Sequence, residues 1–137
     1  GHGEPDVAQA TGLIRGGVDH VSGGILGFGG ALTGTWQTAI ACTTPTVASL
    51  HGSKGQIEIR APWRCDEPTF ILRRVGRPEE AIIVDDGESN YGREALTVAR
   101  FAEAGQAPAC TWQDSLDQAR LIDRLRAQMG VRWPNEA

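Results

Sequence analysis

The front of the chain alternates between β-prone runs and glycine pairs. Asp6 to Ile14, Val18 to Phe28 and Ala31 to Cys42 are such runs, separated by Gly16-Gly17 and Gly29-Gly30. Two glycines between extended runs suit primed turns, which need positive φ and close tight hairpins. Further strands are expected at Thr46 to His51, Gln56 to Arg60, Phe70 to Val75 and Ala81 to Asp85, with Gly52 to Gly55 as a turn between two of them. Gly23, Gly24 and Gly27 inside one run point to a bulge or to close approach of another backbone.

From residue 90 the period changes. Asn90 is a candidate N-cap, since its side-chain oxygen can accept from a first-turn amide. Ala95, Val98, Ala99 and Ala102 then recur at helical spacing until Gly105. Thr111 and Asp114 have capping-box spacing, with Asp in the usual Glu place. Leu121, Ile122, Leu125 and Met129 share one face of the helix that follows, and Gly130 ends it. Strands first and helices last predict an α+β domain: an open, mainly antiparallel β-sheet with two C-terminal helices packed on one face.

The third run carries a further signal. Leu32, Trp36 and Ile40 fall on one face of a strand, and Thr33, Thr35, Gln37, Ala39 and Ala41 on the other. The second face is small and uncharged. It is either a solvated Thr-rich face or a surface on which a second sheet packs.

Composition narrows the classes. A chain of 137 residues with 40% hydrophobic and 22% charged positions suits one globular domain. The net charge of -4 argues against nucleic acid and anionic membrane as partners. Arg73-Arg74 is the densest basic pair and reads as solvated strand residues beside a turn. No apolar run approaches the ~20 residues that span a bilayer, and no signal peptide is visible. Cys42, Cys65 and Cys110 lack metal-ligand spacing and suggest reduced thiols in a cytoplasmic setting. Met129 is the sole Met and Gly1-His2 reads as a tag remnant, so residues 3–137 are expected to be a domain cut from a larger protein.

No catalytic constellation stands out. His20 and His51 read as sheet histidines without a nucleophile or metal partner nearby. Gly52-Ser53-Lys54-Gly55 lacks the P-loop spacing and reads as a plain turn. Asp85, Asp86 and Glu88 read as a hydrated loop, without the spacing of a calcium loop. Gly24 to Gly30 lacks the full dinucleotide fingerprint, and a strand rather than a helix is expected after it. No cofactor is therefore expected to bind this chain itself.

The tail has a familiar order: an aromatic at the helix start in YGREALTVARFAEAG, a Gly after that helix, a Ser-containing second helix in WQDSLDQARLIDRLRAQMGVRWP, and a closing G-x-x-W-P. This resembles the end of the glucose–fructose oxidoreductase / inositol dehydrogenase (Gfo/Idh/MocA) family. Gly52-Ser53-Lys54-Gly55-Gln56-Ile57 is similar to that family's G-[ST]-x-G-x-[ILV] hairpin. Asp19, Phe28-Gly29-Gly30 and Gly3-Glu4-Pro5 also match in order, and the dihydrodiol/xylose dehydrogenase-like branch is the nearest in character.

The resemblance implies the C-terminal domain of an NAD(P)-dependent oxidoreductase acting on a sugar, polyol or diol, without its Rossmann half and inactive alone. NAD or NADP would belong to the parent protein, as would the small-molecule substrate. It also implies a homo-oligomer through the sheet face of Thr33, Thr35, Gln37 and Ala39. Trp63, in Pro62-Trp63-Arg64-Cys65, would line the substrate pocket; the alternative is an edge tryptophan packed on a helix. Tyr91 would lie near the pocket or serve as a helix-start staple. Trp36, Trp112 and Trp133 are assigned to packing. A β-sheet dimerisation or small-molecule-binding module with no enzyme role is the alternative for the whole chain.

Overall fold

The computed structural model describes residues 3–63, 69–84, 87 and 89–132. In chain order the elements are β1 (Val7–Arg15), β2 (Val18–Phe28), β3 (Leu32–Ala39), β4 (Val47–Gly52), β5 (Gly55–Arg60), β6 (Thr69–Arg74), β7 (Glu80–Ile83), α1 (Asn90–Phe101) and α2 (Trp112–Met129). The α+β class is as expected, and every strand pair is antiparallel. The strands divide into a three-stranded sheet, β1-β2-β3, and a four-stranded sheet, β4-β5-β6-β7. The chain forms two compact units, Gly1–Thr44 with Gln106–Ala137, and Pro45–Gly105.

The glycine pairs do what their chemistry allows. Gly16 and Gly17 have φ of 59° and 78°, and Gly29 and Gly30 have 57° and 70°. Gly16-Gly17 is a two-residue hairpin between paired Arg15 and Val18, where positive φ at both central positions matches strand twist. Gly29-Gly30-Ala31 is a three-residue loop in which the Ala31 amide donates to the Phe28 carbonyl. β3 is shorter than its β-prone run because the amides of Ile40 and Ala41 both donate to the His20 carbonyl, which closes the ladder. The glycines inside β2 mark close approach rather than a bulge. A Cβ on Gly24 would lie 2.2 Å from the Gln9 carbonyl oxygen and 2.9 Å from Trp36 Nε1. The register shift falls elsewhere in the ladder: Leu13 pairs with Val21 and Ile14 with Asp19, so His20 of β2 is the extra residue.

In the first unit α2 packs on β1. Its start is the expected capping box: the Asp114 amide donates to Thr111 Oγ1 at 3.1 Å, and the Thr111 amide donates to Asp114 Oδ2 at 2.8 Å. Two orphan amides are thereby satisfied. Its end is a left-handed Gly130, after which the Val131 amide returns to the Arg126 carbonyl. Val131, Ala8 and Ser22 are all buried, and the Ser22 hydroxyl donates to Asp19 Oδ2 at 2.9 Å.

In the second unit the register separates the residues of the sheet by character. Leu50, Ile57 and Leu72 align across β4, β5 and β6, beside Ile59, Phe70 and Ile82. Glu58 and Arg73 lie on the opposite face with buried Ile71. Among the described residues of this unit α1 makes no packing contact with a strand, and Leu96 and Val98 are exposed. Its cap is Ser89, whose side chain accepts from the Gly92 amide at 3.0 Å; Asn90, the cap expected from sequence, is the first helical residue. Trp112, assigned to packing, is mostly exposed. Gly1-His2, Trp133 and the Asp85, Asp86 and Glu88 loop lie outside the described residues.

Candidate functional site

The register gathers the residues of the neutral sheet face. Thr33, Thr35, Gln37 and Ala39 pair with Gly27, Ile25, Gly23 and Val21 of β2. Ile25, Gly23 and Val21 pair in turn with Gln9, Thr11 and Leu13 of β1. Partners opposite one another in a ladder share a face, so these positions make one surface without a charged side chain. Thr33, Thr35 and Gln37 are exposed, and Ala39 is half-buried. The middle of the surface is a shallow concavity of about 740 Å³ walled by Thr11, Leu13, Val21, Thr35 and Gln37. Thr11, Leu13 and Val21 were not among the residues singled out from β3 alone. The alternation Gln9-Thr11-Leu13 is the signal that could have added them.

The charged face in the second unit is internally neutralised. Glu58 accepts from Arg60 Nε at 3.0 Å and from Arg73 Nη1 at 2.8 Å, and Arg73 Nε reaches Glu79 at 2.7 Å. The hydrogen bond from Arg73, followed by that from Arg60, holds the Glu58 carboxyl below the usual value. The same bonds, that of Glu58 first, raise Arg73. Arg74 points to the other face, where it pairs with Glu80. Neighbours on β6 thus send their charge to opposite faces, Arg73 to Glu58 and Glu79 and Arg74 to Glu80.

Trp63 and Tyr91 both belong to the second unit. Trp63 follows β5, just past Ala61, whose φ of 44° bends the chain out of the strand. Tyr91 stands in the first turn of α1. The two side chains are 82% and 83% exposed. Each is therefore an aromatic that is largely open to solvent. Residues 64–68, with Cys65, lie outside the described residues.

Other candidates reduce to the plain readings. The Gly52-to-Gly55 stretch is a hairpin turn between β4 and β5. His20 and His51 are strand residues. Cys42 and Cys110 are free and exposed. Among the described residues no cluster of three or more His, Cys, Asp or Glu is placed to hold a metal ion. No helix among them is long and apolar enough to cross a membrane.

No family model matches the sequence, and no curated protein does. The fold is shared with solved structures. Aldose-aldose oxidoreductase from Caulobacter crescentus, solved with glycerol, aligns at a TM-score of 0.79 with 16% identity, over 92% of this chain and 39% of its own. UDP-N-acetylglucosamine 3-dehydrogenase GnnA from Acidithiobacillus ferrooxidans aligns at 0.73 with 11% identity, over 93% of this chain and 41% of its own. KijD10, a 3-ketoreductase from Actinomadura kijaniata solved with TDP-benzene and NADP, aligns at 0.73 with 17% identity, over 88% of this chain and 39% of its own. This chain spans about two fifths of the length of these proteins.

Proposed function

We propose that the chain is the C-terminal, substrate-pocket and oligomerisation portion of an NAD(P)-dependent oxidoreductase acting on a carbinol of a sugar, polyol or diol. The observation that carries this reading is the fold likeness to a sugar oxidoreductase over 92% of the chain. Two aromatics open to solvent, Trp63 and Tyr91, support it. An indole or phenol offers an apolar face and one polar tip, which suits the alternating C–H and hydroxyl surface of a sugar. In this reading the nicotinamide and the proton-transfer group lie outside this chain, whose share is to wall the pocket and position the substrate.

The neutral face of β1-β2-β3 is where two copies meet. Short uncharged side chains let sheets approach without desolvating ions, and a twofold contact places the same patch on both subunits. The cell compartment proposed is the cytoplasm, on the reduced thiols.

The test is calorimetric titration with NADPH and NADH, run on this chain and on the protein with its native flanking sequence. Binding by the longer protein alone is expected. Micromolar binding by the short chain, or none by either, contradicts the proposal.

A further inference from the structure

The outer edge of β1 is closed by a side chain. Among the described residues β1 has β2 on one side and no strand on the other. On the open side the Ala10 amide donates to Gln128 Oε1 at 2.8 Å, and Gln128 Nε2 donates to the Ala8 carbonyl at 2.9 Å. One residue of a parallel neighbouring strand would make the same pair of bonds, to the residues on either side of Gln9. The Gln128 amide therefore stands in for a strand. It is held there by the rest of α2: Arg124 Nη1 reaches the Pro5 carbonyl at 3.3 Å, and Met129 Sδ lies where it would meet a Cβ on Gly12 at 3.1 Å.

The edge needs such a guard. Val7 to Ile14 contains no charge and no proline, and Val7, Thr11 and Ile14 in it are β-branched. Unpaired edges of that composition template the addition of another strand, and proteins usually blunt them with Lys, Pro or a bulge. The β1–β2 ladder shifts register only at its far end, where the extra residue is His20 of β2 and not a residue of β1. From Val7 to Leu13 the ladder is regular. An identical strand is a self-complementary partner for it, since it brings the same small uncharged side chains and the same free backbone groups.

We propose that the β1 edge is a strand-addition surface for a second copy of β1, kept shut by Gln128. Lifting the C-terminal turn of α2 exposes the Ala8 carbonyl and the Ala10 amide together and lets the second copy pair. This contact is distinct from the neutral sheet face, because it uses backbone groups in the plane of the sheet.

Hydrogen exchange at the Ala10 amide, measured across protein concentration, tests it. In the wild-type chain Ala10 is protected equally when dilute and when concentrated. Gln128→Met keeps the length and apolar bulk of the side chain but loses both bonds. When dilute, its Ala10 amide exchanges faster by about fivefold, the usual net worth of one neutral hydrogen bond. When concentrated, protection returns as a second β1 takes the place of Gln128, and sedimentation shows a heavier species than wild type. Gln128→Ala gives the same pattern if the methionine variant is misfolded by circular dichroism. Fast exchange at every concentration, exchange equal to wild type, or concentration-dependent protection already in the wild type would each overturn the proposal.

Discussion

In the first unit the helix is tied to its sheet at several points. α2 is capped at both ends, buries Val131 beyond its last turn, and plugs the β1 edge with Gln128. In the second unit α1 has a hydroxyl cap but leaves Tyr91, Leu96 and Val98 exposed. The sheets differ in the same way. The face of β1-β2-β3 opposite α2 is neutral and small. The sheet β4-β5-β6-β7 has one face laced by Glu58, Arg60, Arg73 and Glu79, and another with Leu50, Ile57 and Ile82 open to solvent. Isolated apolar residues on a surface are ordinary, but a contiguous set asks for a cover. The difference is one of cover. The first unit ties its helix to its sheet and leaves one neutral face. The second leaves apolar side chains uncovered, and the proposed roles rest on that contrast.

Substitutions that act on one region and spare the other test this contrast. The largest effect is expected from Thr35→Arg. On the neutral face it places two unpaired guanidinium groups opposite each other, and self-association should weaken about a hundredfold or more from the cost of burying unpaired charge. Sedimentation equilibrium of both proteins measures it, and equal association by the variant removes the face from consideration. Ile71→Ala comes next. It empties a position that is 6% exposed, and should cost about 2 to 4 kcal/mol in the second unit. A denaturant series read by exchange in β5 and β6 should show the loss there and not in β1 or β2.

Thr111→Ala is a smaller break. It removes the hydroxyl of the capping box and should cost about 1 kcal/mol, confined to α2. The smallest effect is on pH. The Glu58 carboxyl is held below its ordinary 4.5 by Arg73 and then Arg60. A depressed folded value means its contribution is complete above 4.5 and is lost as pH falls through the lower folded value. Asp114 behaves likewise from 3.8 downward, through the Thr111 hydroxyl and then the Thr111 amide. Glu58→Gln should flatten the acid limb of a stability curve in the second unit, and Asp114→Asn in the first. An unchanged limb in both would show that neither carboxylate is linked to folding.

Much of this architecture could be read from residue order. Glycine pairs with positive φ mark two hairpins, and Thr111 with Asp114 marks the start of α2, because turns and caps depend on residues close in sequence. Ser89 rather than Asn90 caps α1 for a reason of the same range: adjacent residues can both accept, and the extended backbone at Ser89 decides between them. The division into two sheets was not legible, since strand pairing beyond a hairpin depends on distant segments. Nor was Gln128 legible. A glutamine in the last turns of a helix is unremarkable until the fold brings it 2.8 Å from an amide 118 residues away. For the candidate site, β3 alternation identified the neutral face but not the contributions of β1 and β2 to it. Trp63 and Tyr91 came from family resemblance, and the fold shows them uncovered without showing what covers them.

The central claim is that this chain walls the substrate pocket of a nicotinamide-dependent sugar or polyol oxidoreductase. The most direct measurement is steady-state reduction of NAD+ or NADP+ by the protein with its native flanking sequence, against a panel of aldoses, polyols and diols, with wild type and Trp63→Ala compared. The account predicts turnover with at least one of these carbinols, and a KM for it raised about tenfold or more in Trp63→Ala, the loss of one aromatic face from binding. No nicotinamide-dependent turnover with any of them, or identical kinetics in Trp63→Ala and Tyr91→Ala, would contradict it.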